Sequence, residues 1–349
     1  MGILRFLLAV SVVAAHSGPI FGAPFMPGTF AVETFFMISG FYMSLILTDK
    51  YVGPGSTWSF YSNRYLRLYP TYFVVLIATW MWILSGHGNQ VPWQAAYEKM
   101  QSWQQAVFVF SNWTLIGLDI PRLLHFSPDT GFLAFVDATK PAPAGFFWAG
   151  DLTTVWQAWS VGLEIWFYLT APFLVRRNLG WLLVLAAASM GVKVYLKTQG
   201  IYSYEFLPAQ FVFFIFGMFG HRFWRAYRQT LGQQKHLGWL VVITALLTMF
   251  FPWWQLPLQR WIYYVLIACS LPFLFACTRK IGWDRWIGNL SYPIYLVHVL
   301  MKDVVVSLGV RDSNGEVILL ATLAVAAAVL RWLEEPLDAW RQKRIAAAQ

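Results

Sequence analysis

Charge is scarce in this chain. Asp, Glu, Lys and Arg together make 12% of its 349 residues, and only 16 of them are acidic; a soluble domain carries about 25% charged residues. That scarcity excludes a molecule whose whole surface faces water. Cysteine is nearly absent: Cys269 and Cys277 fall in one apolar stretch, where an eight-residue helical spacing is roughly 12 Å, beyond disulfide reach. No disulfide framework and no Cys metal site follow. The six histidines show no metal-ligand spacing. Internal repeats, low-complexity tracts and a second, appended soluble domain are all lacking, so residues 1–349 read as one domain.

Apolar residues fill the chain instead, at 58% with a mean hydropathy of +0.53. This is the composition of an all-α integral membrane protein. The formal charge of +9 would suggest nucleic acid in a soluble protein; here asymmetry between the loops explains it, and no nucleic-acid partner is expected. Apolar runs of the length that crosses a bilayer, broken at Pro, Gly and charge clusters, predict ten helices. They cover 3–21, 28–47, 65–85, 153–175, 179–197, 204–222, 237–253, 260–278, 288–308 and 315–333. The long connection is 86–152, with a weaker apolar patch (106–118) and the stretch KPAPAG. Ten spans put both termini on one side. Roughly two thirds of the Lys and Arg residues then lie on that side, which the positive-inside rule makes cytoplasmic. Segment 86–152 is thereby placed outside the cytoplasm. MGILRFLLAVSVVAA also has the outline of a cleaved signal peptide, but its basic region is a single arginine.

Ionisable residues inside a membrane are costly and point to function. Arg5 and His16 are eleven residues apart, about 20° past three full helical turns and roughly 16 Å along the axis. One helix face thus carries a cation at its cytoplasmic mouth and a base deep inside. Glu33, in GTFAVETFFMISGFYMS, lies at a similar depth on the next helix. A carboxylate beside an imidazole fixes its tautomer and raises its basicity; a plain structural contact between the two is the alternative. FYSNRYLRLYP places Arg64 and Arg67 on one face at the cytoplasmic boundary, suited to phosphates, although a bare pair of this kind also serves only to set topology. Three arginines at the mouth and a His–Glu pair within suit a phosphorylated head with a long arm ending in a reactive group. Coenzyme A thioesters have that shape.

The same residues carry a resemblance. RFLLAVSVVAAH resembles the R-x10-H signature of the membrane-bound acyltransferase-3 family, and TFFMISGFYMS its FFxxSGF segment, with Glu33 where an acidic residue usually stands. RYLR is similar to its RxxR, and AWSVGLEIWFYLTAP to WSLxxExxFYxxxP, with Val161 in place of leucine. IGNLSYPIYLVH resembles LGxxSYxxYLxH, and RWLEEP the terminal ExP. These blocks run in family order over nearly the whole chain. The resemblance implies an O-acyltransferase of cell-surface glycans, with an acyl-CoA donor (acetyl-CoA above all), no metal, and a bacterial inner-membrane location. Arg5, Arg64 and Arg67 would contact the donor, and His16 would be the essential histidine.

The expected mechanism has His16 as general base on a hydroxyl of a glycan or lipid-linked saccharide, with Glu33 orienting it. Transfer is direct or through an acyl-histidine, since no Ser or Cys stands out as a nucleophile. Ser39, Trp159, Ser160, Glu164, Tyr292 and His298 are candidates for touching substrate or ordering the core; for His298 a packing role competes with a second acid–base role. His87 and His125 fall in the outer segment, and His221 and His236 in an inner loop. Outer tryptophans 93, 103, 113 and 148 could stack on sugar. A secondary transporter or flippase is the rival reading, against which stand the absence of repeated halves and of paired broken helices. A membrane scaffold without chemistry is a third. Oligomeric state is not readable from the chain.

Overall fold

The computed structural model describes residues 1–87, 93–127, 129–131, 133–136, 144, 146–233 and 238–346. Its helices in chain order are α1 (Gly2–Ser17), α2 (Gly28–Asp49), α3 (Ser56–Leu84), α4 (Trp93–Lys99), α5 (Ser102–Thr114), α6 (Trp159–Leu174), α7 (Leu179–Thr198), α8 (Leu207–Gln233), α9 (Gly238–Met249), α10 (Gln259–Thr278), α11 (Gly282–Asn289), α12 (Ser291–Ser307), α13 (Gly315–Val329) and α14 (Glu335–Ala346). Three short strands, β1 (Leu124–Phe126), β2 (Leu133–Phe135) and β3 (Phe147–Trp148), form an antiparallel sheet in the order β2-β1-β3. The protein is therefore mostly helical, with one small sheet inside the long connection. Six helical stretches among the described residues are long and apolar enough to cross a membrane: Gly28–Asp49, Ser56–Leu84, Leu179–Thr198, Gln259–Thr278, Gly282–Ser307 and Gly315–Ile345.

Each predicted span overlaps a helix, but several ends move, and 3–21, 153–175, 204–222 and 237–253 correspond to none of these six stretches. α1 stops at Ser17 instead of running to 21, because Gly18 takes a left-handed φ of 88° and Pro19 follows. α3 begins at Ser56, nine residues before the predicted start. STWSFYSN is too polar for an apolar-run reading, yet it winds on as helix from a Gly53–Pro54–Gly55 turn in which both glycines have positive φ. α6 starts at Trp159, after a turn of 3-10 helix at Trp156–Ala158. KPAPAG lies, apart from Ala144, outside the described residues, as does His236.

Two compact units divide the chain. The first comprises 1–60 and 213–349. α2 crosses α8 closely: a Cβ on Gly40 would sit 1.9 Å from the Phe214 carbonyl oxygen, and one on Gly217 1.8 Å from that of Met37. Backbones approach this closely only where side chains are missing, the usual device for packing helices in lipid. The start of α1 docks on α11. Asp284 accepts from the backbone N–H of Gly2 (2.8 Å) and Ile3 (3.0 Å), two donors that a helix leaves unsatisfied, and a carboxylate there also complements the helix dipole. The far end of this unit is one continuous helix, in which α13 and α14 are joined by a π-helical segment, Leu330–Glu334. Pro336, just beyond, has no N–H to give to the regular ladder. Lys50, at the end of α2, donates to Gln342 of α14 at 2.7 Å.

The second unit is 61–212. α5 is started by a Gln101/Gln104 capping box and ended by Leu115 in the left-handed region (φ 67°). Asn112 on it accepts from the Thr154 backbone at 2.8 Å, tying the connection to the approach of α6. The sheet and its flanks close over a buried ion pair in which Arg122 binds both oxygens of Glu205. The Arg122 guanidinium lies 4.2 Å from the Trp148 ring centroid and 5.3 Å from that of Trp156, which satisfies a buried charge on every side. Trp148 is thus a structural residue. Trp103 and Trp113 are exposed, and the side chain of Trp93 is outside the described residues.

Candidate active site

The last turn of α1 presents His16, half-buried, while the rest of that helix is mostly buried apolar surface. Opposite it, α12 supplies His298, which is 0% exposed. Nδ1 of His16 stands 3.0 Å from Nε2 of His298, with ring centroids 5.0 Å apart and planes 26° from parallel. His298 Nδ1 is 2.7 Å from the carbonyl oxygen of Tyr295, one turn earlier. One turn later, Lys302 donates to the His16 carbonyl at 2.6 Å and pairs with Asp312 at 3.0 Å. A cation on the last carbonyls of α1 suits the negative end of the helix dipole.

Glu33 lies in the second turn of α2 and is 0% exposed. Nη2 of Arg260, in the first turn of α10, reaches both its oxygens at 2.9 and 2.8 Å, and the Tyr264 hydroxyl donates to it as well. Arg260 Nε in turn donates to the Tyr264 oxygen at 3.2 Å, and the guanidinium packs 5.0 Å from the Phe30 ring centroid. A buried carboxylate needs such partners, because an unpaired one costs several kcal/mol.

The remaining candidates distribute between the units. Arg5, half-buried, sits in the second turn of α1, just above the Asp284 cap. Ser39 is buried in α2, and Tyr292 is half-buried in α12. In the other unit, Arg64 and Arg67 are half-buried and stand well inside α3, with more than two turns of helix before them. Trp159 and Ser160 are buried at the start of α6, with Trp159 edge-on to Tyr204 at 4.9 Å. Glu164 accepts from the Tyr168 hydroxyl one turn on. His221 is a correction: it belongs to helix α8, not to a loop, and is buried with Nδ1 2.8 Å from the Ser44 hydroxyl. No group of three His, Cys, Asp or Glu side chains that could hold a metal ion occurs among the described residues.

Three contributors were missed from sequence. Arg260 and Lys302 fall in the minority of Lys and Arg predicted for the outer side, and Tyr264 carries no charge to mark it. A signal exists for the two cations: each stands alone near the predicted outer end of an apolar helix, at the depth predicted for Glu33 and His16. Only the fold could say which cation meets which partner.

Comparison with known proteins adds to this geometry. A family model described as an acyltransferase domain matches residues 1–332. The chain is similar to nodulation protein 10 of Rhizobium leguminosarum bv. viciae, at 26% identity over 343 residues, covering 91% of this chain and 82% of that protein. No solved structure matches it.

Proposed function

Since the chain belongs to the membrane acyltransferase-3 family, we propose that it moves an acyl group, acetyl in the first place, from cytoplasmic acyl-CoA to a hydroxyl of a glycan or lipid-linked saccharide on the other face of the membrane. It is a multi-pass membrane protein and an acyltransferase; donor, acceptor and sidedness are our assignment. In this reading all ten apolar helices span a bacterial inner membrane, both termini face the cytoplasm, and segment 86–152 lies outside it.

The observation that carries the reading is His16 itself. It is a half-buried imidazole at one end of α1, with Arg5 on the same helix face roughly 16 Å away, in a chain matched by an acyltransferase model from residue 1 to 332. His16 takes the proton of the acceptor hydroxyl as its oxygen attacks the thioester carbonyl. The C–S bond then breaks and the coenzyme A thiolate leaves with that proton. The products are one ester and one free thiol. Direct transfer of this kind needs general-base help worth on the order of 10²–10⁴ in rate. Arg5, Arg64 and Arg67 are the residues we assign to the donor's phosphates, as charge-assisted donors. Glu33, with Arg260 and Tyr264 upon it, orders the acceptor end.

The test is release of free thiol from acetyl-CoA by purified protein in nanodiscs, with and without saccharide acceptors of the producing cell's envelope. Slow release with water alone, accelerated by the saccharide acceptor and absent in His16→Ala, is the expected result. Equal release from the alanine variant would remove His16 from the chemistry, and acceptor uptake without thiol release would favour a transporter.

A further inference from the structure

The hydrogen bonds around His298 run in one direction. A carbonyl oxygen only accepts, so the 2.7 Å contact between His298 Nδ1 and the Tyr295 oxygen requires the proton to be on Nδ1. A neutral ring protonated there has a bare Nε2, and His298 is fully enclosed, where a charged imidazolium is costly. Bare Nε2 faces His16 Nδ1 at 3.0 Å, so the bond is made only if His16 Nδ1 carries hydrogen. The opposite His16 tautomer would set two lone pairs against each other at that distance.

From this chain of bonds we infer that His298 is a positioning residue for His16: it holds the ring in the Nδ1–H tautomer and leaves Nε2 as the basic nitrogen. The inference rests on the reading of His16 as the base and deepens it. The two are one helical element each, α1 and α12, and their juxtaposition is reinforced from below and above. The two ring planes lie within 26° of each other, as an in-plane bond between ring nitrogens requires, and Lys302 holds the His16 backbone through its carbonyl. When Nε2 takes the acceptor's proton, His16 becomes an imidazolium and its Nδ1–H bond to His298 becomes charge-assisted, hence stronger. The proton then passes from Nε2 to the departing thiolate, and the pair returns to its starting state. A histidine partner thereby does the orienting that a carboxylate does in other base-orienting arrangements.

Two variants and one spectrum test this. Gln at position 298 places an amide oxygen near the site of Nε2 and can still accept from His16; Phe keeps a ring and accepts nothing. Thiol release from acetyl-CoA, with water as the acceptor hydroxyl, is measured on full-length protein in nanodiscs. His298→Phe is expected to lower kcat on the order of 100-fold with the KM for acetyl-CoA within about threefold of wild type, and His298→Gln to recover to within about tenfold. The tautomer is read without turnover from the ¹⁵N spectrum of histidine-labelled wild type, taking as His16 the resonances that vanish in His16→Gln. Protonated Nδ1 and unprotonated Nε2 are expected. The reverse assignment, a His298→Phe variant as fast as wild type, or His298→Gln as slow as His298→Phe would each overturn the inference. A wild type inert towards acetyl-CoA but showing the Nδ1–H tautomer would instead count against the acyl-transfer reading and leave the positioning intact.

Discussion

At the scale of single residues, the two polar clusters of the first unit separate by what their loss should do. His16→Ala removes a half-buried ring whose backbone stays tied by Lys302, so the variant should fold, elute as wild type in detergent, and lose transfer by on the order of 10²–10⁴. Glu33 is a different case. Its carboxylate is enclosed and bound to Arg260 and Tyr264, so Glu33→Gln should lower the thermal midpoint first. Loss of charge-assisted bonds of this type costs roughly 1.5–3 kcal/mol, discounted here because Arg260 is 37% exposed. If the pair acts as a unit, Arg260→Met added to Glu33→Gln should cost little more than either change alone. Additive losses in that double-mutant cycle would show that the two side chains stabilise the protein independently. Arg64→Ala and Arg67→Ala should each raise the KM for acyl-CoA by roughly 10–150-fold, and unchanged donor affinity in both would leave these arginines setting topology only.

At the scale of elements, the α2–α8 crossing leaves no room for a side chain at either of its glycines. A Cβ at Gly217 would fall 1.8 Å from a backbone oxygen, so Gly217→Val cannot be absorbed by a rotamer change. It should cost more than the roughly 1–3 kcal/mol of ordinary overpacking, read as loss of monodisperse protein after solubilisation. The helices themselves were legible in the sequence because an apolar run long enough to span has few other structures open to it in lipid. What hid was whatever depends on polar residues. The first turns of α3 are polar and aromatic and fall outside any apolar run, and the charged second half of α8 hides its continuation from 222 to Gln233. The sheet of β1, β2 and β3 gave no alternation, because its strands have at most three residues each. His16 and Glu33 were legible as outliers in apolar helices. Their partners were not, since nothing in sequence order brings residue 298 to 16 or 260 to 33.

For the whole molecule, sidedness and pH give two further expectations. Inside-out vesicles should use added acyl-CoA while right-side-out vesicles do not; the reverse result would invert the assigned topology. In the 61–212 unit, Asp119 follows α5 in the chain, is buried and accepts from the Trp166 indole of α6 at 3.2 Å. Burial pushes its carboxyl up to about 6 despite that bond. The folded form therefore holds its proton more tightly than the unfolded one between about pH 4 and pH 6, so this unit should lose stability as pH rises through that window, by up to about 3 kcal/mol. Asp119→Asn should flatten the dependence, as measured by thermal melts across that range; an unaltered slope would place its origin elsewhere. One last consequence comes from the π segment between α13 and α14. It is a phase error in an otherwise regular winding, and the helix beyond it keeps the offset. Removing a single residue from 330–334 would let the winding close and turn the rest of the rod by about 100°. Gln342 would swing away from Lys50, and a shorter, more regular helix would make a worse protein.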